Sequence, residues 1–175
     1  FDSFSSWVYW ANGQPLPPST ASRGEFGGRT GLPRILDLLE HYGVRASFYI
    51  PGMSADSWPD LVKEVARRGH EIAHHGYCHE TPTEIDLDRE RTEFEMAIET
   101  IKRLTGKRPD GYRAPSWEPG LNTLPLVKEF EFKYDSSLMG DDFQPYWVRL
   151  GDHGDKRSAW NFGERTDLVE VPISW

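Results

Sequence analysis

Short apolar runs alternate with amphipathic helical stretches along this chain, and that alternation constrains the fold more than any other feature. Residues 44–50 are rich in β-formers and are closed by Pro51-Gly52, the pattern of a buried strand. Ahead of them Leu32, Ile35, Leu36, Leu38 and Leu39 share a helical face, with Pro33 in the first turn and Gly43 as the stop. Residues 56–68 repeat the design: Trp58, Leu61, Val62 and Val65 recur at helical spacing and Gly69 follows. Residues 70–74 read as a second strand. Residues 86–104 form the strongest predicted helix, with Phe94, Ile98 and Ile101 on one face and Gly106 beyond it. A brief strand at 111–113, a helix at 120–130, a strand at 132–134 and a last strand at 168–171 complete the series. Strand after helix at this rhythm implies parallel strands joined by right-handed crossovers, hence an α/β barrel or a doubly wound sheet.

Two stretches fall outside the rhythm. Residues 12–22 contain Pro15, Pro17 and Pro18 and are expected to be a loop, a rim or lid rather than a helix interior. Residues 138–166 are aromatic-rich and expected to be irregular. The length of 175 residues suits one domain. A closed (β/α)₈ barrel takes about 250 residues, and only five or six strands are legible here. The expectation is therefore one catalytic domain over residues 1–175, its barrel incomplete and cut at both ends, since the chain opens on Phe1-Asp2 and stops at Ser174-Trp175.

Charge and cysteine content exclude several functions. Lys and Arg total 20 against 28 Asp and Glu, a net charge of −8 that disfavours nucleic acid as a partner. No apolar run reaches the ~18–20 residues of a membrane span. Cys78 is the lone cysteine, so an internal disulfide and a Cys-x-x-Cys zinc site are both ruled out. An unpaired cysteine sits comfortably in a reducing compartment, so the cytoplasm is favoured over secretion. A homo-oligomer is compatible with this composition.

Chemistry concentrates after the second predicted strand, in His70-Glu71-Ile72-Ala73-His74-His75-Gly76-Tyr77-Cys78-His79. His75 and His79 are four apart, the separation that lets two imidazoles converge on one ion from a single helical turn. An isolated His-x-x-x-His is as often a solvated loop. Its place at a strand end, the active face of parallel α/β folds, favours the metal. Two histidines leave the coordination short, so a further ligand is required.

The stretch RASFYIPG, followed by GHEIAHHGYCHE, resembles the core of the polysaccharide deacetylase family, the NodB-homology amide hydrolases. The resemblance assigns His75 and His79 as metal ligands and leaves His74 out. Gly76 stands where the family usually has Ser or Thr, a departure shared by an imidase- and allantoinase-like branch. Arg113-Ala114-Pro115-Ser116-Trp117 is similar to the family's Arg-x-Pro motif. Tyr134-Asp135-Ser136-Ser137-Leu138-Met139, Asp141-Asp142, Ser22-Arg23-Gly24 and the closing LVEVPISW also resemble that branch. The fold this implies is an irregular (β/α) barrel of the NodB-homology type. Asp2 matches the metal-binding aspartate of the first motif; the matching base would precede Phe1, and the leaving-group acid would follow Trp175.

The resemblance implies a metal-dependent hydrolase of non-peptide C–N bonds. Asp2, His75 and His79 would hold a divalent ion, zinc first, with cobalt, nickel or iron also suited. Arg113 would orient the base carboxylate through a bidentate pair, or else form a surface salt bridge. Asp135 would support a ligand or contact substrate, or cap a turn. Trp117 offers a flat wall for a sugar or serves the core, and Arg23 and Asp142 join it as substrate-binding candidates. Two substrate classes compete: N-acetylated sugars, and small cyclic imides or ureides that a lid over residues 12–28 would enclose. A sugar-binding module that has lost catalysis is the non-enzymatic alternative.

Overall fold

A computed structural model describes Gly13, Pro15 and residues 17–174. Helices α1 (Pro18–Phe26) and α2 (Leu32–His41) are joined by a π turn, Gly27–Gly31. The loop expected over residues 12–22 is thus corrected from Pro18 onward. Pro18 sits in the first turn of α1, where its missing N–H and fixed φ suit a helix start.

The chain continues through β1 (Ser47–Ile50), α3 (Gly52–Ser57), α4 (Pro59–Arg67), β2 (Glu71–His74) and α5 (Leu87–Thr105). Next come β3 (Gly111–Tyr112), α6 (Thr123–Glu129), β4 (Tyr134–Asp135), β5 (Tyr146–Leu150) and β6 (Glu164–Glu170). The single helix expected over 56–68 is two helices. Pro59 drives Trp58 out of the helical region, to φ −130° and ψ 54°, so the chain breaks there.

The six strands form one sheet in the order β1-β2-β3-β4-β6-β5. Every neighbour pair from β1 to β6 is parallel, as the alternation predicts. β5 corrects the expectation of an irregular 138–166: it runs antiparallel on β6, with Tyr146 opposite Glu170 and Trp147 opposite Val169. Only Val148 of β5 is fully buried, so its sequence carries no clean period-2 signal.

One sheet face meets the helices. Ile50 and Ile72 pack with Leu36, Val62, Val65 and Ile101. Farther along, Tyr112 packs with Phe94, Leu126, Val127, Phe132 and Leu168. α5 serves both clusters, and its ends are fixed by an Asp86 side chain accepting the Arg89 N–H at 2.8 Å and by left-handed Gly106. The Phe94 ring stacks on Tyr112 at 4.8 Å between centroids and on Phe130 at 5.3 Å. A ring so buried contributes about 3–5 kcal/mol.

The opposite face is polar. Tyr49 donates its hydroxyl proton to Tyr134 at 3.4 Å, Tyr134 donates to Glu71 at 2.9 Å, and Ser47 also donates to Glu71. Gly111 makes this possible, since a side chain there would run into the Tyr134 ring. In a closed barrel such a face lines the interior. No helix among the described residues is long and apolar enough to cross a membrane.

Candidate active site

β2 buries His74 among the helices and turns the next residue, His75, toward the strand ends. Alternation along a strand requires that reversal. His74 is fully buried beside Phe94, Tyr112 and Phe132. Its Nε2 lies 3.3 Å from the Phe94 carbonyl and its Nδ1 accepts the Gly76 N–H at 3.2 Å, so both ring nitrogens serve the backbone. Burial pushes its imidazole down to about 3. His74 is a core residue.

His75 donates from Nδ1 to the Arg113 carbonyl at 2.7 Å. A carbonyl can only accept, so the neutral ring keeps its lone pair on Nε2, the arrangement found for metal-binding histidines. The His75 and His79 rings lie 4.9 Å apart between centroids and 77° from coplanar. They meet across a bend, not the helical turn expected from their spacing. Gly76 at φ +68° and His79 at φ +61° are left-handed and exclude a helix there.

The bend is held from two sides. Gly52 and Met53 donate their N–H groups to the carbonyls of Gly76 and Tyr77, each at 2.9 Å. From α5, one oxygen of Glu93 accepts the Tyr77 N–H at 2.7 Å and the Cys78 N–H at 2.6 Å. Cys78 is buried, and burial with the nearby Glu93 charge pushes its thiol up to about 12. It is no thiolate nucleophile.

Arg113 follows β3. Its Nε donates to the Ser136 carbonyl at 2.7 Å and its Nη2 to the Ser136 hydroxyl at 2.6 Å, while the guanidinium lies 4.1 Å over the Tyr49 ring. Ser136 passes its own proton to the Val171 carbonyl at 2.7 Å. Behind this layer Asp135 is fully buried. It accepts from the Ser137 hydroxyl at 2.8 Å and the Ser137 N–H at 3.1 Å, and Ser137 in turn accepts the Ala114 N–H at 2.9 Å. Across the β4–β6 pairing Asp135 faces Glu170, also fully buried, which accepts the Leu138 N–H at 3.0 Å. Burial raises both carboxyls, and on Glu170 the hydrogen bond and charge of Asp135 raise it further, so the pair retains a proton.

The family model for polysaccharide deacetylase matches residues 23–134 of this sequence, a segment that includes the histidine bend and Arg113. The chain belongs to the polysaccharide deacetylase family. Peptidoglycan deacetylase of Helicobacter pylori is 39% identical over 184 residues, covering 99% of this chain and 62% of the relative. A solved chain from Mycobacterium smegmatis superposes with a TM-score of 0.78 at 37% identity, covering 98% of this chain and 54% of its own length. Puue allantoinase superposes at 0.73 with 30% identity, over 93% of this chain and 51% of its own. The chain thus spans roughly half to three-fifths of the length of these relatives.

In this polysaccharide deacetylase chain the other expected residues are scattered. Trp117 is 51% exposed on the loop after β3, where Ser116 at φ +59° and Trp117 at φ +56° are consecutive left-handed residues. Such backbone costs about 1–3 kcal/mol per residue and clusters at functional sites. Arg23 is exposed on α1, in a helix rather than a loop. Asp142 is exposed in the bend before β5, its N–H bonded to Asp141 at 2.7 Å. Asp2 lies outside the described residues. Among the described residues, no three His, Cys, Asp or Glu side chains form a metal-sized cluster.

Two functional candidates escaped the sequence reading. Glu93 occupies the apolar face of α5 beside Phe94 and Ala97 and is buried, as is Glu90 one turn earlier, which meets Thr123 and takes no part in the site. A carboxylate at a core position of an amphipathic helix is the signal that would have found them. Glu170 is the second, at the end of a strand, Glu164–Glu170, whose other charged residues are not buried and give no sign of it.

Proposed function

We propose that this chain carries the metal-binding half of a hydrolase that removes acetyl groups from N-acetylated amino sugars of a polysaccharide such as peptidoglycan. The observation that carries the reading is the oriented histidine pair: His75 has its Nδ1 proton committed to the Arg113 carbonyl, and its ring stands 4.9 Å from that of His79. This donor set suits a divalent ion, zinc first, with Asp2 as the third ligand. When bound, such an ion polarises the amide carbonyl and lowers the pKa of water in the site.

This chain's own residues supply the rest of the geometry. The Arg113 carbonyl fixes the His75 tautomer, while its guanidinium, held flat by Ser136 and Tyr49, orients the carboxylate base and the acyl oxygen side of the pocket. Trp117 presents an exposed indole on which a pyranose ring can stack. The likeness to Puue allantoinase supports a second reading, opening of a small cyclic imide or ureide. The lid argument for that reading weakens because the segment from Pro18 is helical. The intact protein, loaded with zinc, should release acetate from an N-acetylglucosamine oligomer and leave a five-membered cyclic imide untouched. Imide opening without acetate release would reverse the two readings.

A further inference from the structure

We infer that Glu93 is a positioning residue for the histidine pair: its carboxylate and Gly76 form one device that sets the bend between His75 and His79. The inference rests on the metal site proposed above. One Glu93 oxygen accepts the N–H groups of Tyr77 and Cys78, at 2.7 and 2.6 Å, and these are the last two of the three residues, Gly76 to Cys78, that separate the histidines. Its other oxygen lies 3.2 Å from Arg89, which also pairs with Glu80 at 2.6 Å. The side chain is buried, so the two amide bonds are made in a low-dielectric setting where they are strong and rigid.

Gly76 is the other half. At φ +68° it admits the sharp bend, and a Cβ built there would stand 3.4 Å from the same Glu93 oxygen and 3.3 Å from Pro115. A side chain at position 76 would press on Pro115 and reach van der Waals contact with the carboxylate.

Glu90 provides an internal control. It lies one turn earlier on the same buried face, but its partner is the Thr123 hydroxyl, away from the bend. A carboxylate that only supports the core should behave like Glu90.

The test is a zinc titration of the metal-stripped intact protein by competition with a chromophoric chelator, with amide hydrogen exchange followed at Tyr77 and Cys78. Glu93→Ala should weaken zinc about 10–100-fold, the range for residues that orient metal ligands, and speed exchange of both amides. Glu93→Gln keeps an oxygen able to accept both amides but loses the charge that strengthens those bonds and faces Arg89, and should weaken zinc about fivefold. Glu90→Gln should leave zinc affinity and both amides unchanged. Gly76→Ser should weaken zinc in the wild-type background and much less in Glu93→Ala; the backbone cost at φ +68° is common to both backgrounds and cancels in the cycle. Equal losses from Glu90→Gln and Glu93→Gln, or strictly additive effects of Gly76→Ser and Glu93→Ala, would overturn the inference. Wild-type protein that takes up no zinc would instead sink the proposed site, and the Tyr77 and Cys78 exchange rates would still decide the brace. Should Glu93→Ala fail to fold, the Gln pair carries the same decision.

Discussion

Glu93 and the Asp135–Glu170 pair are both buried carboxyl systems standing behind loops of the active face, yet they are stabilised differently. Around Glu93, two backbone N–H groups and Arg89 offset the burial that raises its carboxyl. Asp135 and Glu170 instead face one another, and a retained proton relieves their repulsion, with Ser137 and Leu138 donating to the remaining oxygens. The first design is a brace of two N–H donors and a guanidinium that tightens the ligand bend. The second is a protonated brace, two hydrogen bonds behind Ala114, that fixes the Arg113 loop. Backbone donors with a guanidinium, and a proton, are two answers to the same burial problem, and burial raises the carboxyls in both.

The largest effect should come from the residue that the second brace serves. Arg113→Lys keeps the charge but loses the planar fork held by Ser136, and kcat should fall by ~10²–10⁴. Zinc affinity should hold, because His75 is bonded to the Arg113 backbone and not its side chain. The pH optimum should move upward as the base loses the paired charge-assisted hydrogen bonds of the guanidinium that keep it ionised. Normal kcat with an unchanged pH profile would reduce Arg113 to a packing residue.

A smaller effect tests the second brace by pH. The folded-state pKa of Glu170 lies above its unfolded value, so its contribution is fully present below the ordinary carboxylate range. It is lost as pH rises from there toward the folded value, at about 1.4 kcal/mol per pH unit. Glu170→Gln replaces the shared proton with a permanent N–H donor and should flatten the fall in thermal stability between the ordinary carboxylate range and about 9. A wild-type curve with no such fall, or a variant with the same slope, would mean that the pair is not protonated.

The parts of the fold that follow hydrophobic periodicity were legible in the sequence: β1, β2, α2, α4 and α5 stand where their apolar faces put them. β5 was not, because an edge strand with a single fully buried residue has no core face to declare itself. α1 was masked by three prolines, although Pro18 is compatible with a first turn. At the site, the residue types of the histidine motif and of the Arg113 motif could be read directly. Their supports could not: Glu93 reaches the bend from a helix that begins eight residues beyond His79, and the Asp135–Glu170 contact needs the parallel pairing of β4 with β6. The spacing of His75 and His79 suggested a helical turn, and only the left-handed backbone at Gly76 and His79 reveals the bend.

The central claim is that His75 and His79 together hold a divalent ion. Zinc content and affinity of the intact protein, measured beside His75→Ala and His79→Ala with circular dichroism to confirm folding, test it most directly. Wild-type protein should bind one zinc per chain, and each folded variant should lose both stoichiometric zinc and amide hydrolysis. Full zinc occupancy retained by a folded His79→Ala protein would contradict the assignment.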